Sequence, residues 1–462
     1  MRIIMLVFLL AGFIAAQAED VASAYVKVRK TYRYRVYLKD KKNNPYSVKH
    51  PEAFLSQKAL DRRSRYGIKV DEKDLPVTPL YLEMLRNKGF KVLHTSKWNN
   101  TVVVETADTL KANRLPEASF VNKVCRVWIG PDSVYAGKVT DRHELLENRM
   151  DTLRDYYGKA RHQIDMLNGV RLHDAGFRGE GVTIAVVDGG FYNADCIAAL
   201  KNCKILGTKN FAHPDKDVYE EQDHGMMVLS CIGTNVPYSH VGTAPEASFY
   251  LIVSEEGEAE YMVEEDNWCA AIEYADSVGA DIVTSSLGYY AFDDESTSHK
   301  YHELDGRTAI NSRSASLAAS RGLLVLNSAG NAGAGPWKKI GFPADASDIL
   351  TVGAVKTDSV NTVFSSVGNT ADGRIKPDVM ALGQASQLLE ANGTVGKANG
   401  TSFSTPILCG AVACLVQAFP NRKPQEIIEA VRRAGDNSMH PDNIYGYGIP
   451  DMWKAYEILK KK

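Results

Sequence analysis

The sequence predicts an α/β protein: a doubly wound, mostly parallel sheet with helices on both faces, preceded by a small α+β domain. Three observations carry this. Beyond Tyr156, short continuous apolar runs alternate with longer runs of helical period, the pattern of strands buried on both sides. Before about Trp128, strand-like and helix-like runs are mixed within one compact unit. With 462 residues, 44% hydrophobic and 24% charged, the chain is long enough for a large core and is not a disordered polymer.

The chain opens with Met1 and Arg2, the apolar run Ile3–Ala16, and Ala16-Gln17-Ala18 ahead of Glu19-Asp20. A positive start, an apolar middle and an Ala-x-Ala ending read as a secretory signal peptide over residues 1–18, removed after Ala18. The run is shorter than the ~20 residues that span a bilayer comfortably. The expectation is an exported protein, secreted or periplasmic, with no membrane span after processing.

Residues 19–135 form the α+β domain. Tyr32–Leu38 alternates as a strand. Pro51–Arg65 reads as one helix, with Pro at its start and Phe54, Leu55, Ala59 and Leu60 as its apolar stripe. Its Arg62-Arg63 pair reads as a solvated face rather than a processing site. Pro79–Lys88 is a second helix, closed by Gly89. Phe90–His94 and Thr101–Thr106 pair across Asn99-Asn100, and Val121–Trp128 is a last strand. The charged, aperiodic run Gly130–Met150 marks a linker, placed at 136–155. The second domain, 156–462, carries strands at Val182–Val187, Phe249–Val253, Asp281–Leu287, Leu323–Ser328 and Ile349–Val355. Helices follow at His224–Ile232, Asn267–Val278, Thr308–Ser320, Ser402–Phe419, Pro424–Ala434 and near Trp453–Leu459.

The formal charge of −2 excludes a global basic field for nucleic acid. The balance is uneven: Lys27–Lys69 holds fourteen Lys/Arg against three Asp/Glu, so the remainder is acidic. Seven scattered cysteines include no Cys-x-x-Cys, which removes zinc and redox motifs. Cys409 and Cys414 lie in an apolar helical run and read as packing residues, while the spacing of Cys196 and Cys203 leaves their pairing open.

In this fold ligands bind beyond the carboxyl ends of the strands, so residues just after each apolar run carry the information. Asp188 closes one run before Gly189-Gly190, as a hydrogen-bond acceptor for a His or as a turn residue. Asp223-His224-Gly225 opens a helix. Gly400-Thr401-Ser402-Phe403-Ser404-Thr405-Pro406 sets Ser402 in a Gly-preceded turn at a helix start, where backbone N–H groups face developing negative charge. Ser328-Ala329-Gly330-Asn331 places an amide donor on a Gly-rich loop. Gly330, Gly333 and Gly335 do not have the Gly-x-Gly-x-x-Gly spacing, which rejects a dinucleotide turn. The order Asp188, His224, Ser402 is one of those in which a serine triad occurs.

These residues resemble the subtilisin-like serine peptidases (subtilases, family S8) over Tyr156–Lys462. Gly400–Pro406 matches the Gly-Thr-Ser-x-x-x-Pro pattern in full, and Gly242–Pro245, Phe342–Ala344 and Lys376–Val379 fit further landmarks. The resemblance implies a subtilisin-like fold and a serine endopeptidase, with Asp188, His224 and Ser402 as its triad and Asn331 at the oxyanion. It also implies substrate binding by Ser286, Leu287, Gly288, Ala329 and Gly330. Gly189 and Met226 depart from the family, which usually has Ser or Thr after the Asp and Thr soon after the His. The chemistry implied needs no cofactor and no metal; structural calcium is common in the family, but no ligands stand out here. The expected partners are protein or peptide substrates and the N-terminal domain itself, as intramolecular inhibitor and chaperone whose basic stretch complements the acidic remainder. The alternative is a catalytically inactive, exported peptide-binding protein on the same fold. No acidic cluster is evident around Ser286–Gly288 or Gly330–Gly335, so an uncharged or apolar residue is expected before the scissile bond.

Overall fold

A computed structural model describes residues 25–135, 151–257 and 259–461. The signal peptide and residues 136–150 of the linker lie outside the described residues.

In the N-terminal domain, Lys91–Ser96, Thr101–Thr106, Tyr32–Leu38 and Val121–Ile129 form an antiparallel sheet in that order. Alternation assigns its two faces. Tyr34, Val36 and Leu38 pack with Leu85 and Phe90 around the Pro79–Asn87 helix, while Arg33 and Arg35 point the other way. The stretch expected as one helix from Pro51 is divided. A 3-10 turn, Pro51–Ala53, is followed by the helix Gln57–Tyr66. Ser56, extended at its own backbone, accepts from Ala59 N at 3.2 Å and restarts the helix as its N-cap. A short strand, Ser133–Tyr135, also pairs with Tyr25–Lys27 beyond the expected last strand.

The second domain is built on seven parallel strands. Across the sheet they run Val379–Leu382, Leu350–Val355, Leu324–Ser328, Ile282–Ser285, Thr183–Asp188, Ser248–Val253, Lys204–Asn210. Ile184, Val186 and Leu251 face the helices His224–Gly233 and Thr401–Ala418. Ala185, Val187 and Ile252 face Val263–Val278 and Ile310–Ser320. The two strands with no sequence forecast, Lys204–Asn210 and Val379–Leu382, are the two edges. The first is mixed polar and largely exposed, so it lacks the continuous apolar signature of a central strand.

The N-terminal sheet lies on the Val263–Val278 helix, which is therefore covered on both sides. Arg35 forks onto Asp266 at 2.6 and 2.7 Å, and Arg33 reaches Glu256. Arg62 and Arg63 are both 1% exposed. They do not form the expected solvated face; both ion-pair with the buried Asp276, which Lys97 also contacts at 3.2 Å. Glu273 accepts from Ser96 Oγ and from the backbone N–H groups of Lys97 and Trp98. Basic residues between Lys27 and Lys69 thus meet acids of the second domain, as the charge asymmetry suggests. No disulfide joins the cysteines among the described residues; Cys409 and Cys414 are buried as expected.

Candidate active site

The site stands at the carboxyl ends of the central strands, where the strand order reverses on either side of Thr183–Asp188. Asp188 is the last residue of that strand and is fully buried. Its Oδ1 accepts from Gly189 N at 2.8 Å and lies 2.6 Å from His224 Nδ1. His224 opens its helix directly above, and Gly225 allows the approach. A Cβ at 225 would fall 2.4 Å from the Gly190 carbonyl oxygen and 2.8 Å from the Asp188 Cβ. Burial alone would lower the His224 pKa; the Asp188 carboxylate outweighs it and raises the imidazole above its ordinary value.

Ser402 sits in the first turn of Thr401–Ala418. Pro406 has no N–H to give to the carbonyl four residues back, which is that of Ser402. Ser286 Oγ supplies the missing bond, donating to Ser402 O at 2.8 Å. In return Ser402 Oγ donates to Ser286 O at 3.2 Å. Its hydrogen bond therefore goes to the neighbouring strand end and not to the imidazole, a looseness common before substrate binds. Asn331 is oriented by Thr401: its Oδ1 accepts from Thr401 N at 2.9 Å and Oγ1 at 3.0 Å, which leaves Nδ2 to donate elsewhere. Thr401 Oγ1 also accepts from Gly330 N at 3.1 Å. Sequence reading passes over this positioning role of Thr401, although the residue stands beside Ser402.

Asp188, His224, Ser402, Asn331, Ser286, Leu287, Gly288 and Gly330 all line one cleft of about 740 Å³. Ala329 does not. It is fully buried with Ile340, Phe342 and Ala344, because the strand's alternation turns its side chain into the core. Of the two departures, Gly189 leaves room occupied by Gln222, whose Oε1 lies 2.8 Å from where a Cβ would stand. Met226 is core packing. The cleft also holds Glu255, Glu260, Glu264 and Asp293. Sequence reading does not find these, because Glu255, Glu260 and Glu264 come from a segment remote from Ser286–Gly288 and Gly330–Gly335, and Asp293, five residues beyond Gly288, joins them only in the fold.

The sequence pattern of the subtilase family matches residues 179–448, the stretch that builds this cleft. The chain belongs to the subtilase family. This subtilase is 28% identical over 310 residues to subtilisin NAT of Bacillus subtilis subsp. natto, covering 65% of the chain and 72% of that protein. It is also 28% identical over 377 residues to the serine protease AprX of Bacillus subtilis (strain 168), covering 73% and 80%. Among solved structures, the prenylagaramide maturation protease PagA shares its fold at a TM-score of 0.50 and 20% identity, covering 64% of the chain and 99% of PagA. The subtilase is a subtilisin-like serine endopeptidase. Its residues 33–137 match the peptidase S8 propeptide domain of Bacteroidota, so its N-terminal domain is of the propeptide kind.

Proposed function

We propose that this subtilase is an exported zymogen that hydrolyses peptide bonds through an acyl-enzyme on Ser402. Ser402 Oγ attacks the carbonyl; His224 takes its proton and returns it to the leaving amine. Asp188 fixes the imidazole tautomer through Nδ1 and stabilises the imidazolium. Asn331 Nδ2 and the Ser402 backbone N–H receive the oxyanion. Ser286–Gly288 pairs with the substrate backbone as an added strand. The reading is carried by one observation: His224 paired with the buried Asp188, Ser402 and the oriented Asn331 amide share one cleft. The chemistry calls on no cofactor.

The N-terminal domain acts as chaperone and inhibitor until the chain is cut between residues 136 and 155. The Ala-x-Ala ending before Glu19 supports export. The side-chain preference at the residue before the scissile bond is for uncharged or apolar groups. The test compares wild type with Ser402→Ala on unfolded casein and a mixed peptide library, with mass spectrometry of products and of the protein's own amino terminus. Cleavage and a shortened chain are expected in wild type alone. A folded wild type that cuts nothing would leave a peptide-binding protein, and a mature start still at Glu19 would remove the zymogen reading.

A further inference from the structure

We infer that the cleft selects substrates with a cationic side chain, Lys or Arg, upstream of the residue whose carbonyl is attacked. This names the substrate class of the site just proposed and rests on that reading.

Glu255, Glu260 and Glu264 each bring a carboxylate oxygen to within 4.8 Å of the others. Asp293 is clamped to Glu260: its Oδ2 accepts from Glu260 N at 3.2 Å, and its own N donates to Glu260 O at 2.8 Å. All four line the cleft with Asp188, whose Oδ2 is buried there without a hydrogen-bond donor. Among the described residues no Lys or Arg lines this cleft. The carboxylates are held in place. Tyr289 Oη donates to Glu255 Oε1 at 2.5 Å, and Glu264 accepts from the N–H groups of Glu256 and Tyr261.

Such crowding is costly. Burial and then the neighbouring Glu260 push Glu255 up to about 8; burial and then Asp293 push Glu260 up to about 7. A cation entering the cleft relieves this repulsion, and one attached to a substrate spends that relief on binding.

Placement follows from the chain. Asp293 lies five residues beyond Gly288, at the end of the run proposed to pair with the substrate backbone, and Glu255 lines the same cleft as His224 and acts on its pKa; we take that run to hold the acyl side of the substrate. A divalent metal fits less well. Both Glu264 oxygens already accept backbone N–H groups, which leaves few of the six to eight oxygens that calcium takes.

The test uses the self-processed enzyme in EDTA with pairs of quenched peptides, identical except for Lys or uncharged norleucine at each of four positions on either side of the bond. A kcat/KM ratio of about tenfold or more in favour of Lys is expected at one upstream position. Glu260→Gln and Asp293→Asn should each cut that ratio to about threefold or less, and 0.5 M salt should reduce it. Labelling by a fluorophosphonate establishes that each variant is folded with a reactive Ser402. Equal rates for both peptides at every upstream position would overturn the inference while leaving the peptidase reading intact. So would a ratio that survives in the double variant, or one that appears only when calcium is restored. Cleavage of neither peptide would remove the peptidase reading itself.

Discussion

The contact between the two domains and the cleft both gather carboxyl groups, and they treat them in opposite ways. At the contact, Asp276 is fully buried and surrounded by Arg62, Arg63 and Lys97, while Asp266 receives the fork of Arg35. Burial alone would raise the Asp276 carboxyl, yet Lys97 and the two arginines hold it below its ordinary value. In the cleft, four carboxyl groups and Asp188 stand together with no Lys or Arg among the described lining residues. The chain pairs its acids with cations where both partners belong to it and leaves them without one in the cleft, where a partner has yet to arrive. Charges of the first kind serve assembly; charges of the second serve recognition.

The sharpest separation comes from Asn331→Ala. Turnover should fall by ~10²–10³, the magnitude that loss of an oxyanion-hole Asn has in subtilisin. The melting temperature should move little, since Asn331 is exposed. Unchanged turnover would remove Asn331 from the oxyanion site. Next, Asp276→Asn leaves three cations around a neutral amide. In a Ser402→Ala background, denaturant melting of the full chain should show a loss of about 3–5 kcal/mol. A loss below about 1 kcal/mol would mean the contact does not depend on this pairing.

The third test is pH. His94, half-buried against Asn267, is lowered to about 4, chiefly by its loss of solvation there. It stays neutral in the assembled protein and protonates once the domains part. Its contribution to assembly is whole above its ordinary 6.5 and declines as pH falls toward 4. Glu273, raised to about 6 by burial, has the opposite sign and favours assembly as pH falls from 6 toward 4.5. With the two opposed, retention of the cleaved N-terminal domain should weaken about twofold between pH 7.5 and 6 and about threefold by pH 5. In His94→Gln, retention should instead rise below pH 6. A profile identical to wild type would exclude His94. Within the cleft, the raised His224 places the rising limb of kcat/KM above pH 6.5. The smallest effect belongs to Arg126–Asp294, an exposed pair across the same contact. Arg126→Ala should cost less than about 1 kcal/mol in the melting experiment.

Much of this is legible in the sequence because the signals are local. Apolar runs mark the central strands, and Gly400–Pro406 announces the serine turn. The edge strand Lys204–Asn210 escapes because it lacks a two-sided core. Arg62 and Arg63 mislead because nothing local distinguishes a solvated helix face from one covered by another domain. Asp188, His224, Ser402 and Asn331 are identifiable one by one. Glu255, Glu260 and Asp293 are not, since each is an ordinary loop acid until the sheet gathers them. Thr401 is hidden by the prominence of its neighbour, although its backbone and hydroxyl orient Asn331.

The bond that completes the serine turn spans 116 residues, from Ser286 Oγ to Ser402 O. The turn cannot close on its own helix, because Pro406 offers no donor. The turn therefore stays incomplete until the Thr401–Ala418 helix has docked beside the Ile282–Ser285 strand. One proline thus gives the molecule a sense of time: a protein built to cut proteins acquires the means only after most of it is already folded and hard to cut.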